Sequence, residues 1–144
     1  MSSNQSLRKP SFKLHLSVLF VIMMTMGLFP STTMAIDVTG TWKGEIETQV
    51  GKFKYTYILK QEGTQVTGKI LSELEGEKRE TVVLEGKINA DAIEFVEMMK
   101  FQDMDLKIIY KGKVTGDEIS FTRQVGEYAT EVFIAKHDKA EVQK

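Results

Sequence analysis

Residues 40–60 read Gly-Thr-Trp-Lys-Gly-Glu-Ile-Glu-Thr-Gln-Val-Gly-Lys-Phe-Lys-Tyr-Thr-Tyr-Ile-Leu-Lys, and the pattern they set runs through most of the chain. On both sides of a turn at Gly51, apolar or small residues alternate with charged ones. A period of two is typical of β-strands with one buried and one exposed face. Two such strands joined by a glycine turn form a hairpin, so the segment predicts a protein built from antiparallel hairpins.

Six further segments with this period follow, separated by turns that contain Gly, Asn or Asp. Their predicted inward positions are Val66, Gly68 and Ile70; Val82, Leu84, Gly86 and Ile88; Ile93 and Phe95; Leu106, Ile108, Tyr110, Gly112 and Val114; Ile119, Phe121 and Arg123; and Phe133 and Ala135. Eight short strands in sequence predict an all-β protein, an eight-stranded antiparallel up-and-down β-barrel. A barrel of this size is either filled by side chains or left with one small cavity.

Two hairpins repeat each other, which supports the barrel. Gly86-Lys87-Ile88 and its turn recur as Gly112-Lys113-Val114 and the turn that follows. Glycines in mid-strand are predicted to relieve crowding where the sheet coils tightly. On the outer face, Ile58, Val83 and Ile109 leave room for contact between two barrels.

The first 35 residues are predicted to be a signal peptide. Arg8, Lys9 and Lys13 precede an apolar run at residues 14–29, and Thr33-Met34-Ala35 supplies small residues where a signal peptidase cuts. The run is shorter than the ~20 residues that span a membrane, so cleavage after Ala35 is favoured over a retained anchor. Either outcome places residues 36–144 in the periplasm or outside the cell as one domain, with a core at about 38–137.

The amino-acid composition limits the kinds of site and partner that the protein can have. The chain of 144 residues has no cysteine, which excludes disulfides, thiol catalysis and the usual structural zinc sites. Without Arg8, Lys9 and Lys13, residues 36–144 hold 16 basic and 20 acidic side chains, a net charge of −4. These charges are interspersed, so we expect no nucleic-acid partner and, after cleavage, no membrane contact. No cofactor is expected.

Gly40-Thr41-Trp42 at the start of the first strand, with Arg123 near the end of the barrel, resembles the calycin superfamily of lipocalins, fatty-acid-binding proteins and avidins. The repeated Gly-Lys hairpins are also similar to small lipocalin-like domains of secreted bacterial proteins. The resemblance implies that Trp42 packs beneath Arg123 and closes one barrel end. Since avidin's biotin-contacting pattern and lipocalin disulfides are missing, it implies no named ligand.

Elementary chemistry gives that pair a structural role. An indole covers a large apolar area, and a guanidinium on its face gains about 0.5–2 kcal/mol while donating to carbonyls at the strand ends. Trp42 and Arg123 are therefore predicted to plug the barrel.

Three tyrosines are candidate ligand contacts. By alternation, Tyr55, Tyr57 and Tyr110 face inward among aliphatic side chains. Because a buried hydroxyl needs a partner, they could line a semi-polar cavity, but packing in the core or at the rim is favoured.

Two carboxylates, Glu97 and Glu131, also face inward by alternation. A buried carboxylate needs a cation or donors, and Arg123 is placed to pair with Glu131 across the last hairpin. The structural ion pair is favoured over a polar cluster that orients a ligand, and both are favoured over an acid–base pair.

The segment Met98-Met99-Lys100-Phe101 is predicted to be an apolar connection between the fifth and sixth strands. It could fill the core, form a lid or contact a protein partner, and core filling is favoured. His137 is predicted to be isolated and exposed, so metal binding has little support.

Two functions stay open. One is a binding barrel that holds a small, partly apolar ligand in its mouth. The other is a packed structural or interaction module, accessory or inhibitory, with no small ligand. An enzyme ranks third, because no nucleophile–base pair, metal set or phosphate loop is visible. Oligomeric state cannot be predicted from the pattern.

Overall fold

In a computed structural model, the structure describes residues 35–140, so the predicted signal peptide lies outside the described residues except for Ala35. Nine β-strands form within this range. They are β1 (Gly40–Thr48), β2 (Gly51–Glu62), β3 (Gln65–Leu74), β4 (Glu77–Val82), β5 (Leu84–Asn89), β6 (Ala92–Phe101), β7 (Met104–Thr115), β8 (Glu118–Val125) and β9 (Ala129–His137).

The strands close into a ring. Their order is β2-β1-β9-β8-β7-β6-β5-β3-β4, every pairing is antiparallel, and β2 also pairs with β3. Because β4 and β5 both pair with β3, they occupy one strand position in the ring. The nine strands therefore form an eight-stranded barrel. The predicted eight-stranded antiparallel barrel is confirmed.

The fourth predicted strand, which the structure splits into β4 and β5, departs from the prediction at Val83. Here β4 ends and β5 begins, and the backbone N–H of Val83 donates to the carbonyl of Gly68 over 2.9 Å. The alternation changes phase at this break, so Val83 is buried while Val82 and Leu84 are exposed. The predicted inward positions of Val82 and Leu84 and the outward position of Val83 are therefore wrong.

Backbone pairing is interrupted between β4 and β6. Within the described residues, β4 pairs only with β3, and residues 97–101 of β6 pair only with β7. Two side chains bridge this gap instead. Thr81 Oγ1 donates to Glu97 Oε1 over 2.6 Å, and Arg79 Nη1 donates to the Lys100 carbonyl over 3.3 Å.

Aromatic rings fill the centre of the barrel. Tyr57 contacts Phe95, Tyr110, Phe121 and Phe133 at centroid distances between 5.5 and 6.3 Å. Each such pair contributes about 0.5–1.5 kcal/mol beyond the apolar area that it buries. Residues 36–140 contain the whole sheet and its core and belong to one compact unit, which are the features of a domain that can fold alone.

Two mid-strand glycines show the predicted crowding. A Cβ at Gly86 would lie 2.0 Å from the Val66 carbonyl oxygen, and one at Gly112 would lie 2.7 Å from the Phe121 ring. Such distances exclude a side chain unless the neighbours move, so these glycines allow the strands to coil closely.

No helix among the described residues combines the length and the apolar character that crossing a membrane requires.

Candidate functional site

One end of the barrel is closed around Trp42. Its Nε1–H donates to the Val38 carbonyl over 2.9 Å, and its ring packs nearly perpendicular to the His137 ring, with 4.7 Å between the centroids. The Val38 amide in turn donates to Gln61 Oε1 over 3.0 Å. The N-terminal segment is thereby folded over the indole and plugs this end.

The predicted partner of Trp42 lies elsewhere. The Arg123 guanidinium carbon is 4.9 Å from the Tyr55 ring centroid and 5.9 Å from that of Tyr110. Trp42 instead contacts His137, which is half-buried rather than exposed as predicted. Both expectations are therefore corrected.

Strand register explains this separation. Trp42 is paired with His137, whose amide donates to the Asp117 carbonyl over 2.8 Å. Asp117 precedes Arg123 by six positions, which is about 20 Å of extended strand. The Arg123 backbone is thus far along β8 from the level of Trp42.

The opposite end holds an open cavity of about 280 Å³, called the cup below. Its lining is almost wholly apolar and comes from the β1–β2, β6–β7 and β8–β9 hairpins. The lining residues are Thr48, Val50, Phe53, Met99, Phe101, Met104, Leu106, Arg123, Val125, Tyr128, Ala129 and Glu131. Arg123 is the most deeply buried of them, so it marks the floor of the cup.

Arg123 and Glu131 form an ion pair at this floor. Nη1 of Arg123 donates to Glu131 Oε2 over 2.7 Å, which confirms the predicted pairing across the last hairpin. Burial alone would lower the pKa of Arg123, but Tyr110, Tyr55 and Glu131 outweigh it and the pKa is raised. The guanidinium is therefore charged, and its Nε is buried without a hydrogen-bond partner.

The three predicted tyrosines lie below the cup and do not line it. Tyr110 donates to Glu97 Oε2 over 2.8 Å, whereas the Tyr55 hydroxyl is buried without a partner. The Tyr57 hydroxyl is likewise buried without a hydrogen-bond partner. Burial raises the pKa of all three hydroxyls, and at Tyr57 the neighbouring Tyr110 hydroxyl acts in the opposite direction.

Glu97 forms a second buried polar site, separate from Arg123. Its side chain is 1% exposed, and its two oxygens accept from Thr81 and Tyr110. The structure thus divides the predicted cluster in two: Arg123 with Glu131 at the cup, and Glu97 with Tyr110 deeper in the barrel. The sequence reasoning missed Thr81, because the phase of its strand was misassigned.

The segment from Met98 to Phe101 is strand rather than a connection. It forms the end of β6, and the turn is Gln102-Asp103, whose φ angles of 49° and 63° are those of a two-residue hairpin. Alternation sends Met99 into the cup and leaves Met98 outside it. Part of this segment is therefore cup wall.

No group of three or more His, Asp or Glu side chains between residues 35 and 140 is arranged to hold a metal ion. The cup offers apolar walls and one neutralised ion pair. Walls of this kind suit contact with a small apolar molecule.

Fold and site together define a small antiparallel β-barrel with one plugged end and one open, apolar mouth. No protein-family model and no curated protein matches the sequence. A solved structure described as "REP1-NXSQ fatty acid transporter" is similar, with 14% identity and a TM-score of 0.42, over 72% of this chain and 98% of that chain. A likeness this weak says nothing about what this chain binds.

Proposed function

We propose that this protein is an exported, non-catalytic binding barrel that holds one small, mainly apolar ligand in the cup. The observation that supports this most directly is the cup itself, an open cavity of about 280 Å³ with apolar walls and the Arg123–Glu131 ion pair at its floor. Ligand pockets generally start at about 300 Å³, so the ligand is small. The predicted signal peptide supports export.

Three methionines allow a direct test. Residues 36–144 contain only Met98, Met99 and Met104, and the last two line the cup. Methyl-¹³C methionine spectra, recorded while small apolar compounds are added, should show shifts at Met99 and Met104 with Met98 nearly unchanged. Native mass spectrometry of the same samples should show one ligand per barrel.

Two matched substitutions check where the ligand sits. Val125→Trp would fill the cup, whereas Val132→Trp adds the same bulk on the outer face of β9. Binding should be lost in the first variant and kept in the second. If both variants bind alike, or if no compound shifts Met99 and Met104, the proposal is wrong.

The second candidate is a packed interaction module with no small ligand. It is favoured by the ring-filled centre and by Val132 and Ile134, which are exposed side by side on the outer face of β9. Under this function the methyl titration stays silent. Sedimentation velocity would then show self-association that is weakened by Val132→Lys and left intact by Thr130→Lys.

A further inference from the structure

The charges at the floor of the cup cancel each other. The single guanidinium there is already paired with Glu131, at 2.7 Å. Among the described residues, the other buried side chain of an acidic or basic residue is Glu97. It accepts hydrogen bonds from two hydroxyls and is not paired with a cation. The interior therefore holds two acidic groups for one guanidinium, and no positive charge is left for an anionic ligand.

The atoms exposed in the cup agree with this charge count. Its lining is almost wholly apolar, and the Nε of Arg123 is shielded from solvent. An ion that entered would lose its hydration and find no free counter-ion, which is costly in a site of low polarity. An ionised carboxylate would in addition approach the carboxylate of Glu131.

From this arrangement, and resting on the proposed function, we infer that the ligand is uncharged, with a polar end no stronger than a hydroxyl, carbonyl or amide group. Glu131 is the residue that sets this selectivity, because it neutralises Arg123. At about 30 Å³ for each water-sized group, the cup holds a ligand of on the order of ten heavy atoms.

Octanamide and octanoate test this inference, because they have the same number of heavy atoms and differ in charge at neutral pH. We expect octanamide and 1-octanol to shift Met99 and Met104 with dissociation constants at least ten times lower than those of octanoate and octylammonium. Equal or tighter binding of octanoate would overturn the inference and leave the proposed function standing. Silence from all four compounds would count against both.

Glu131→Gln tests the role assigned to the pair. It frees the guanidinium of Arg123 from its counter-charge, so octanoate should gain at least tenfold in affinity while octanamide changes little. Glu127→Gln makes the same charge change at the same end of the barrel but outside the cup lining, and should leave the ratio unchanged. An identical ratio in both variants would show that Glu131 does not set selectivity. If Glu131→Gln fails to fold, the comparison of octanamide with octanoate on the unchanged protein still decides the ligand class.

Discussion

The Arg123 guanidinium donates to the Glu131 carboxylate over 2.7 Å, with the two side chains only 3% and 18% exposed. A largely buried pair of this kind is held by mutual attraction, and removing one partner destabilises the fold because the other charge is left buried and unpaired. The stability of the barrel and the chemistry of its mouth therefore depend on the same contact.

The first prediction concerns this dependence. Glu131→Leu leaves the buried guanidinium without its counter-charge and should lower the free energy of unfolding by about 3–5 kcal/mol. Adding Arg123→Met should recover part of that loss, because the double variant has no unpaired charge. Urea denaturation of the three variants measures the coupling. Strictly additive losses would mean that the two residues do not act as a pair.

The second prediction separates two buried tyrosines. Tyr110→Phe removes a donor from Glu97 and leaves that buried carboxyl with Thr81 alone, so it should cost about 1–3 kcal/mol. Tyr55→Phe removes a hydroxyl that has no partner, so it should be neutral or stabilise by about 1 kcal/mol. Thermal and urea unfolding give both values. The reverse order would show that these hydrogen bonds are assigned incorrectly.

The third prediction is a loss of stability at alkaline pH. Burial holds the pKa of Tyr55, Tyr57 and Tyr110 above the usual value of about 10. Above pH 10 the unfolded chain releases these protons and the folded chain keeps them, so the folded state binds more protons and stability falls. Below pH 10 this contribution is fully present.

Above pH 10, the free energy of unfolding should fall by up to about 1.4 kcal/mol per pH unit for each buried tyrosine. Urea unfolding between pH 8 and 12 measures it, and Tyr55→Phe should make the slope shallower by one tyrosine. Absorbance at 295 nm should show these phenols ionising only as the barrel unfolds. Ionisation of all tyrosines in a still-folded barrel would contradict the burial of the three hydroxyls.

The fourth prediction ranks two glycines. A Cβ at Gly86 would meet the backbone oxygen of Val66 at 2.0 Å, whereas one at Gly112 would meet side-chain atoms at 2.7–2.8 Å. Side chains can shift more easily than a paired strand, so Gly86→Ala should destabilise more than Gly112→Ala, and both should cost at least about 1–3 kcal/mol. Lys113→Ala, on an exposed neighbouring position, is the control. Equal stability of all three variants would refute the close approach of strands.

Alternation predicted the faces of most strands because a period of two continues wherever pairing is regular. It failed where Val82, Val83 and Leu84 follow one another, since three apolar residues in a row carry no phase. The irregular register of β5 between Leu84 and Lys87, with a positive φ of 51° at Glu85, completes the change of face. Nothing in the hydrophobic pattern marks that bulge.

In the candidate site, too, one contact could be predicted from the sequence and another could not. Arg123 and Glu131 could be paired from the sequence because they lie opposite each other in one hairpin. The contact of Thr81 with Glu97 could not, because it crosses a place where the two strands share no backbone pairing. The expected stacking of Arg123 on Trp42 came from a family resemblance, and the register of β8, β9 and β1 prevents it.

The gap between β4 and β6 gives the wall of this barrel a seam. Among the described residues, only side-chain hydrogen bonds from Thr81 and Arg79 cross it, each worth about 1 kcal/mol net. Within the described residues, separating β4 from β6 breaks no hydrogen bond between two backbone groups, whereas β4 with β3 and β6 with β7 are held by continuous antiparallel pairing. Local opening of the barrel should therefore occur between β4 and β6, beside the buried carboxyl of Glu97, while its plugged end stays closed.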